Sequence, residues 1–220
     1  MSRTLGQLDL GTSVWIAENN VMHEYVLMSK DSAGCIMLRA NAVEARRMNP
    51  TNVAVYEGSE MDSWLTDDQT GFLSRFDAAT LAAIVSRTRP TYSYGDTECH
   101  YISRRAFLLT QGELFLSTPT ALEPLKNIAS SLMIWKGTDN SNTARIALNE
   151  ELSAVSWWLS SPNSATNFFY VVASGTSNSG SATNAGIWAR PALNVSADTI
   201  VSDEGADPIY LLPSGGYREV

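Results

Sequence analysis

The chain has 220 residues, of which 44% are hydrophobic and only 17% charged, enough to bury a core and too apolar for a disordered tail. Its net charge of −8 repels phosphate backbones, which excludes nucleic acid as a partner. No basic leader with an apolar stretch opens the sequence, and no apolar run reaches bilayer length. A soluble protein made in the cytosol is expected, without signal peptide or membrane insertion.

The first half reads as short strands around helical inserts. Residues 12–20 (TSVWIAENN) and 23–40 (HEYVLMSKDSAGCIMLRA) are apolar runs broken by Asn-Asn and by Asp-Ser-Ala-Gly, the punctuation of hairpins. Residues 59–66 (SEMDSWLT) predict a short helix capped by Ser59, with Asp62 three residues on. Residues 77–87 (DAATLAAIVSR) predict a second helix, capped by Asp77, with Leu81, Ile84 and Val85 on one face and Pro90 closing it. The segments AFLLT and ELFLS flank Gln-Gly and read as strands, or as a tight turn entering a helix. A further helix is expected over residues 120–135, with Leu122, Leu125, Ile128 and Leu132 in register and Pro124 tolerable only near its first turn. Beyond Trp135 a polar loop leads into short strands: SWWLSS, FFYVVAS, GIWARPALNV, TIVS and IYLLPS. Helices early and strands late predict an α+β domain spanning residues 1–220, with a scaffold over 1–134 and a loop-rich ligand-facing half over 135–220.

Catalytic constellations do not emerge. The two histidines, His23 and His100, lack metalloprotease spacing, and Cys99 beside His100 has no second ligand pair. No nucleophile elbow, Walker loop or dinucleotide fingerprint occurs, so no enzyme and no cofactor are expected. The DNSN run at Asp139 begins like a calcium loop but has Ser141 at the third position and no glycine at the sixth. Asp198, Asp203, Glu204 and Asp207 read as a solvated loop, so no metal is expected. Cys35 and Cys99 are expected to be thiols, Cys35 within a buried strand.

The most informative stretch runs from Trp157 to Leu193. Its ends are heavy: Trp157, Trp158 and Pro162 on one side, Trp188, Arg190 and Pro191 on the other. These six are expected to form scaffold, since indoles bury large areas and a guanidinium among apolar residues needs a carboxylate or carbonyl partner. Between them, residues 163–186 contain only Asn, Ser, Ala, Thr, Phe, Tyr, Val and Gly. That vocabulary gives adaptable hydrogen bonding with rigid aromatic contact, as in antibody loops. A recognition face is therefore expected, comprising Asn163, Ser164, Thr166, Asn167, Phe168, Tyr170, Ser174, Thr176, Asn178, Ser181, Thr183 and Asn184. If residues 168–170 form a strand, Phe168 and Tyr170 share a side opposite Phe169, all three partly solvent-facing.

These blocks carry a resemblance. The WWLSSP and GIWARPAL segments resemble the WWLRSP…GVRPAL frame of a phage-encoded virion domain, some of whose members are targets of diversity-generating retroelements. LGQLDLGTSVWI, HEYVLMSK, the stretch from YEGSEMDSWL to DAATLAAI, FLLTQGEL and IVSDEG are similar to further segments of that family. The resemblance implies a C-type-lectin-like fold on a bacteriophage virion surface, in a tail, fibre or capsid decoration. It implies partners among other virion proteins and a host cell-surface protein or glycan, with homo-oligomers possible. It also implies that residues 163–186 are diversified through adenine-directed mutagenesis. The chain departs from the pattern at Ser160, where the family has Arg, and by the additional Trp188 and Ala189. Calcium-dependent sugar motifs are missing as well. Two other readings compete: a structural decoration or connector protein joining subunits, and, remotely, an oxidase resembling the formylglycine-generating enzymes.

Overall fold

The chain's first hairpin is set by Asn19 and Asn20, which hold φ at 49° and 65° in the left-handed region that asparagine tolerates better than most residues. They join β1 (Ser13–Glu18) to β2 (Val21–Asp31) with Glu18 opposite Val21. A second turn, in which the Asp31 carboxylate accepts from Ala33 N, leads through Gly34 at φ 124° into β3 (Gly34–Arg39). This computed structural model describes residues 3–114, 142–202 and 206–213. The expected helix over 120–135, the Asp139 loop, Asp203 and Glu204 lie outside the described residues.

Short elements complete the described chain. The helices are α1 (Glu60–Thr66), α2 (Ala78–Ala83), α3 (Gln111–Leu114) and α4 (Asn142–Arg145). The remaining strands are β4 (Arg87–Thr91), β5 (His100–Arg104), β6 (Ala106–Phe107), β7 (Ala147–Leu148), β8 (Ala154–Val155), β9 (Trp157–Pro162), β10 (Asn167–Val171), β11 (Ser177–Ser181), β12 (Ala192–Val195) and β13 (Ile209–Tyr210). The fold is α+β and dominated by strands. The principal sheet has the order β13-β1-β2-β3-β12-β6, and β11-β10-β9 form a separate antiparallel sheet.

Both faces of the principal sheet are covered, which explains why β3 is buried at every position and reads as a continuous apolar run. Cys35 and Met37 face a core that holds Leu27, Met61, Phe72, Trp158 and Leu193. Ile36 and Leu38 face a second core with Phe107, Leu109, Trp157, Leu159 and Val171. No disulfide joins Cys35 to Cys99, and burial pushes the Cys35 thiol up to about 11. No helix among the described residues is long and apolar enough to cross a membrane.

In the pattern of elements, expectation and structure part at three points. Ser59 Oγ accepts from Asp62 N at 3.0 Å and the Asp77 carboxylate from Thr80 N at 2.7 Å, as the capping pattern implies. The second helix nevertheless stops at Ala83, because Ile84 bridges Val195 and Val85 N donates to Asn194 O. Pro90 lies within β4 instead of closing a helix. Helices also do not precede strands: the first 40 residues supply three neighbouring strands of the principal sheet, and β12 enters it from the other end of the sequence.

A buried polar cluster ties β1, β2 and β3 together. Glu18 and Arg39, each 1% exposed, form an ion pair at 2.7 Å, and Tyr25 OH donates to the same carboxylate oxygen at 2.6 Å. Arg39 also reaches His23 Nδ1 at 2.7 Å. A guanidinium only donates, so Nδ1 must accept and the imidazole is neutral. Burial lowers the His23 pKa from 6.5, with Glu18 and Glu150 opposing and Arg39 and Arg75 reinforcing the shift. An unfolded chain therefore protonates His23 before the folded one does. The stabilisation is complete above pH 6.5 and is lost as pH falls towards the folded value. Melting temperature measured between about pH 7.5 and 5.5 is expected to decline, and His23→Gln, which keeps an acceptor for Arg39, is expected to flatten that decline.

Candidate recognition site

Two tryptophans fix the site, because adjacent strand residues point to opposite sides. Both are fully buried, Trp158 in the first core and Trp157 in the second. Trp158 meets Phe168 and Tyr170 edge-on at centroid distances of 6.5 and 5.9 Å, and its Nε1 donates to Arg46 O at 2.7 Å. Trp157 Nε1 donates to Arg145 O at 3.0 Å.

Arg190 solves the problem of a buried cation through carbonyls. Its guanidinium lies 4.8 Å from the Trp157 ring centre and donates to Arg39 O at 2.9 Å and Arg145 O at 3.4 Å. Burial brings its pKa down to about 9, and no carboxylate among the described residues forms an ion pair with it. Ser160, where the resembled frame has Arg, is also buried and bonds Leu109 O through both its N and its Oγ. The additional Trp188 and Ala189 are woven into the frame. Trp188 N donates to Ser156 O, Trp158 N to Trp188 O and Ala189 N to Glu44 O, each at 2.9 Å. Pro162 and Pro191 are buried beside them.

From this frame β10 and β11 run out as a hairpin. Phe168 and Tyr170 pack towards Trp158, whereas Phe169 packs on the opposite core, as the alternation requires. Phe168 is 0% exposed, however, because Trp158 and the first core enclose it. It belongs with the scaffold, a correction to its expected place on the face. Tyr170 and Phe169 are half-buried.

The polar positions separate into two groups at opposite ends of the hairpin, since Asn167 pairs with Ser181 and Val171 with Ser177. At one end lie Asn163, Ser164, Thr166, Asn167 and Ser181, all half-buried, with Thr183 and Asn184 exposed. Several spend their polar atoms locally: Ser164 Oγ accepts from Asn167 N at 3.0 Å, and the Asn184 side-chain oxygen from Gly186 N at 2.8 Å. Ser181 Oγ reaches across and donates to the Asn52 side-chain oxygen Oδ1 at 2.7 Å. At the other end Ser174, Thr176 and Asn178 are exposed around a turn in which Gly175 has φ 85°. A Cβ at Gly175 would come within 1.8 Å of Asn142 O, and Gly175 O accepts from Arg145 Nε at 3.1 Å, so α4 holds this turn in place. The face is therefore two short, fixed polar edges about 17 Å apart rather than one patch, taking five residues of extended strand.

A cleft of about 670 Å³ lies between Glu44–Arg46, α1 and Arg75 and has no counterpart in the sequence reading. Residues 44–49 run beside residues 182–189, with Arg46 N donating to Ile187 O and Met48 N to Ala182 O. They carry Glu44 and Arg46 into the cleft, opposite Glu60 and Trp64 of α1 and Arg75. Arg46 pairs with Glu44 at 2.6 Å and lies 4.6 Å from the Trp64 ring centre, and Arg75 bonds Glu44 at 3.0 Å. The available signal was EARR at residues 44–47, a dense charge run in a sparsely charged chain. Among the described residues no group of three His, Cys, Asp or Glu side chains is arranged to hold a metal ion.

No curated protein and no solved structure matches the chain. One family does, a domain of unknown function termed DUF6273, over residues 23–197. That stretch holds most of β2, all of β3 and β12, the tryptophan frame and the whole polar hairpin, and on this match the chain belongs to the DUF6273 family.

Proposed function

We propose that this chain is a non-enzymatic recognition protein displayed on a bacteriophage virion, with a C-type-lectin-like fold, that contacts a host cell-surface protein or glycan. The observation that carries this reading is the contrast within residues 157–193. Buried Trp157, Trp158 and Arg190 frame a hairpin whose Ser174, Thr176, Asn178, Thr183 and Asn184 remain exposed. Small uncharged side chains on a fixed frame can be exchanged with little effect on folding, which suits a surface under pressure to change its ligand. Diversification by a retroelement fits the same contrast, and attachment to other virion proteins through surfaces outside the hairpin completes it.

The test is adsorption of particles carrying Thr183→Arg with Asn184→Arg, or Thr176→Arg with Asn178→Arg. At least one pair is expected to reduce adsorption to the host by about tenfold or more, with the purified protein's melting temperature unchanged. Undiminished adsorption in both would overturn the proposal. Loss of the chain from assembled particles would instead favour the connector reading, with the hairpin buried against a neighbouring subunit.

A further inference from the structure

The proposed function leaves the cleft without a role, and its lining is specific enough to name a ligand class. Extending that reading, we infer that the cleft is a calcium-independent binding site for a neutral saccharide unit, built on the segment that is hydrogen-bonded to residues 182–189.

The argument is one of charge and geometry. Arg46 and Arg75 interleave with Glu44 and Glu60 through ion pairs of 2.6, 3.0 and 3.8 Å, and Asp67 stands at the same wall. An anionic ligand would meet the carboxylates, and a cationic one the guanidiniums, each at contact distance and partly desolvated. A neutral polyhydroxylated ligand meets neither penalty. Each of its hydroxyls can donate to a carboxylate and accept from a guanidinium, and planar forked side chains match pairs of neighbouring hydroxyls. The ion pairs hold these forks in position before a ligand arrives, which reduces the ordering cost of binding. Ser63 adds a hydroxyl, and the Trp64 ring, with the Arg46 guanidinium over it, fixes that cation in the cleft. The volume of the cleft lies within the range typical of small-ligand sites.

The position strengthens the case. The backbone that presents Glu44 and Arg46 is hydrogen-bonded to residues 182–189, and Asn52 bonds Ser181. The cleft wall and the polar hairpin are thus carried by backbone segments bonded to one another.

Saturation-transfer NMR on the full chain, in EDTA, against glucose, galactose, mannose and N-acetylglucosamine tests this directly, with glucuronate and glucosamine as charged counterparts. Transfer to at least one neutral sugar is expected, and a weaker signal or none to the charged pair. Glu60→Gln is expected to weaken binding by about tenfold or more. Ser63→Trp, at an exposed helix position on the cleft wall, is expected to abolish it by filling the space. Absence of transfer from all four neutral sugars, preference for a charged sugar, or undiminished transfer in Ser63→Trp would each overturn the inference. Failure here with adsorption still lost in the edge variants removes the cleft and leaves the recognition face standing.

Discussion

Trp158→Ala is expected to lower the unfolding free energy by about 3–5 kcal/mol, while Asn184→Ala changes it by less than about 0.5 kcal/mol. The indole is fully enclosed, touches Phe168 and Tyr170 edge-on and donates to Arg46 O. Removing it leaves a cavity at the junction of the hairpin, the 44–49 segment and the first core, and strands the Arg46 carbonyl. Asn184 is exposed, and its side chain closes only a local turn onto Gly186 N. Urea denaturation of both variants measures the contrast. Similar losses in the two would mean that the hairpin edge is as structural as its frame, and the division between constant anchors and exchangeable surface would fail.

Glu18→Gln is the second large effect, expected to cost about 3–5 kcal/mol because it leaves the Arg39 cation buried without its counter-charge. Arg39 retains Asn41 O and His23 Nδ1 as acceptors, but neither neutralises it. Tyr25, whose phenol burial and the neighbouring Glu18 hold well above pH 10, stays a donor and finds a weaker acceptor in the amide. Arg47→Ala provides the comparison, since Arg47 is exposed and Glu60 only half-buried, so that their solvent-accessible pair is worth only about 0–1 kcal/mol. Equal midpoints for Glu18→Gln and the parent chain in urea would show that the cluster contributes little to stability.

What the sequence disclosed followed the range of the interactions involved. The Asn19-Asn20 turn, the Ser59 and Asp77 caps and the alternation of Phe168, Phe169 and Tyr170 depend on residues a few positions apart, and the structure has all of them. The early end of α2 depends on Asn194 and Val195, more than a hundred residues away, and nothing local at Ile84 announces it. The burial of Phe168 similarly requires knowing that Trp158 turns the same way and that a core lies behind it. Arg190 was legible as a cation needing a partner, but not that two main-chain carbonyls and an indole would serve. The cleft was least legible, because Glu44, Arg46, Glu60, Trp64 and Arg75 come from three segments joined only by the fold.

The interior place of β12, between β3 and β6, has a consequence for biosynthesis. As the chain leaves the ribosome, Gly34–Arg39 emerges long before Ala192–Val195, its neighbour in the sheet, and meanwhile exposes an apolar strand edge. The polar hairpin is made in that interval, before the sheet can close. Its strand Asn167–Val171 adds Phe168, Phe169 and Val171 to that apolar load, whereas the turn residues Ser174–Asn178 and Thr183–Asn184 add none, so exchanging them for other small polar residues leaves the nascent chain no more adhesive.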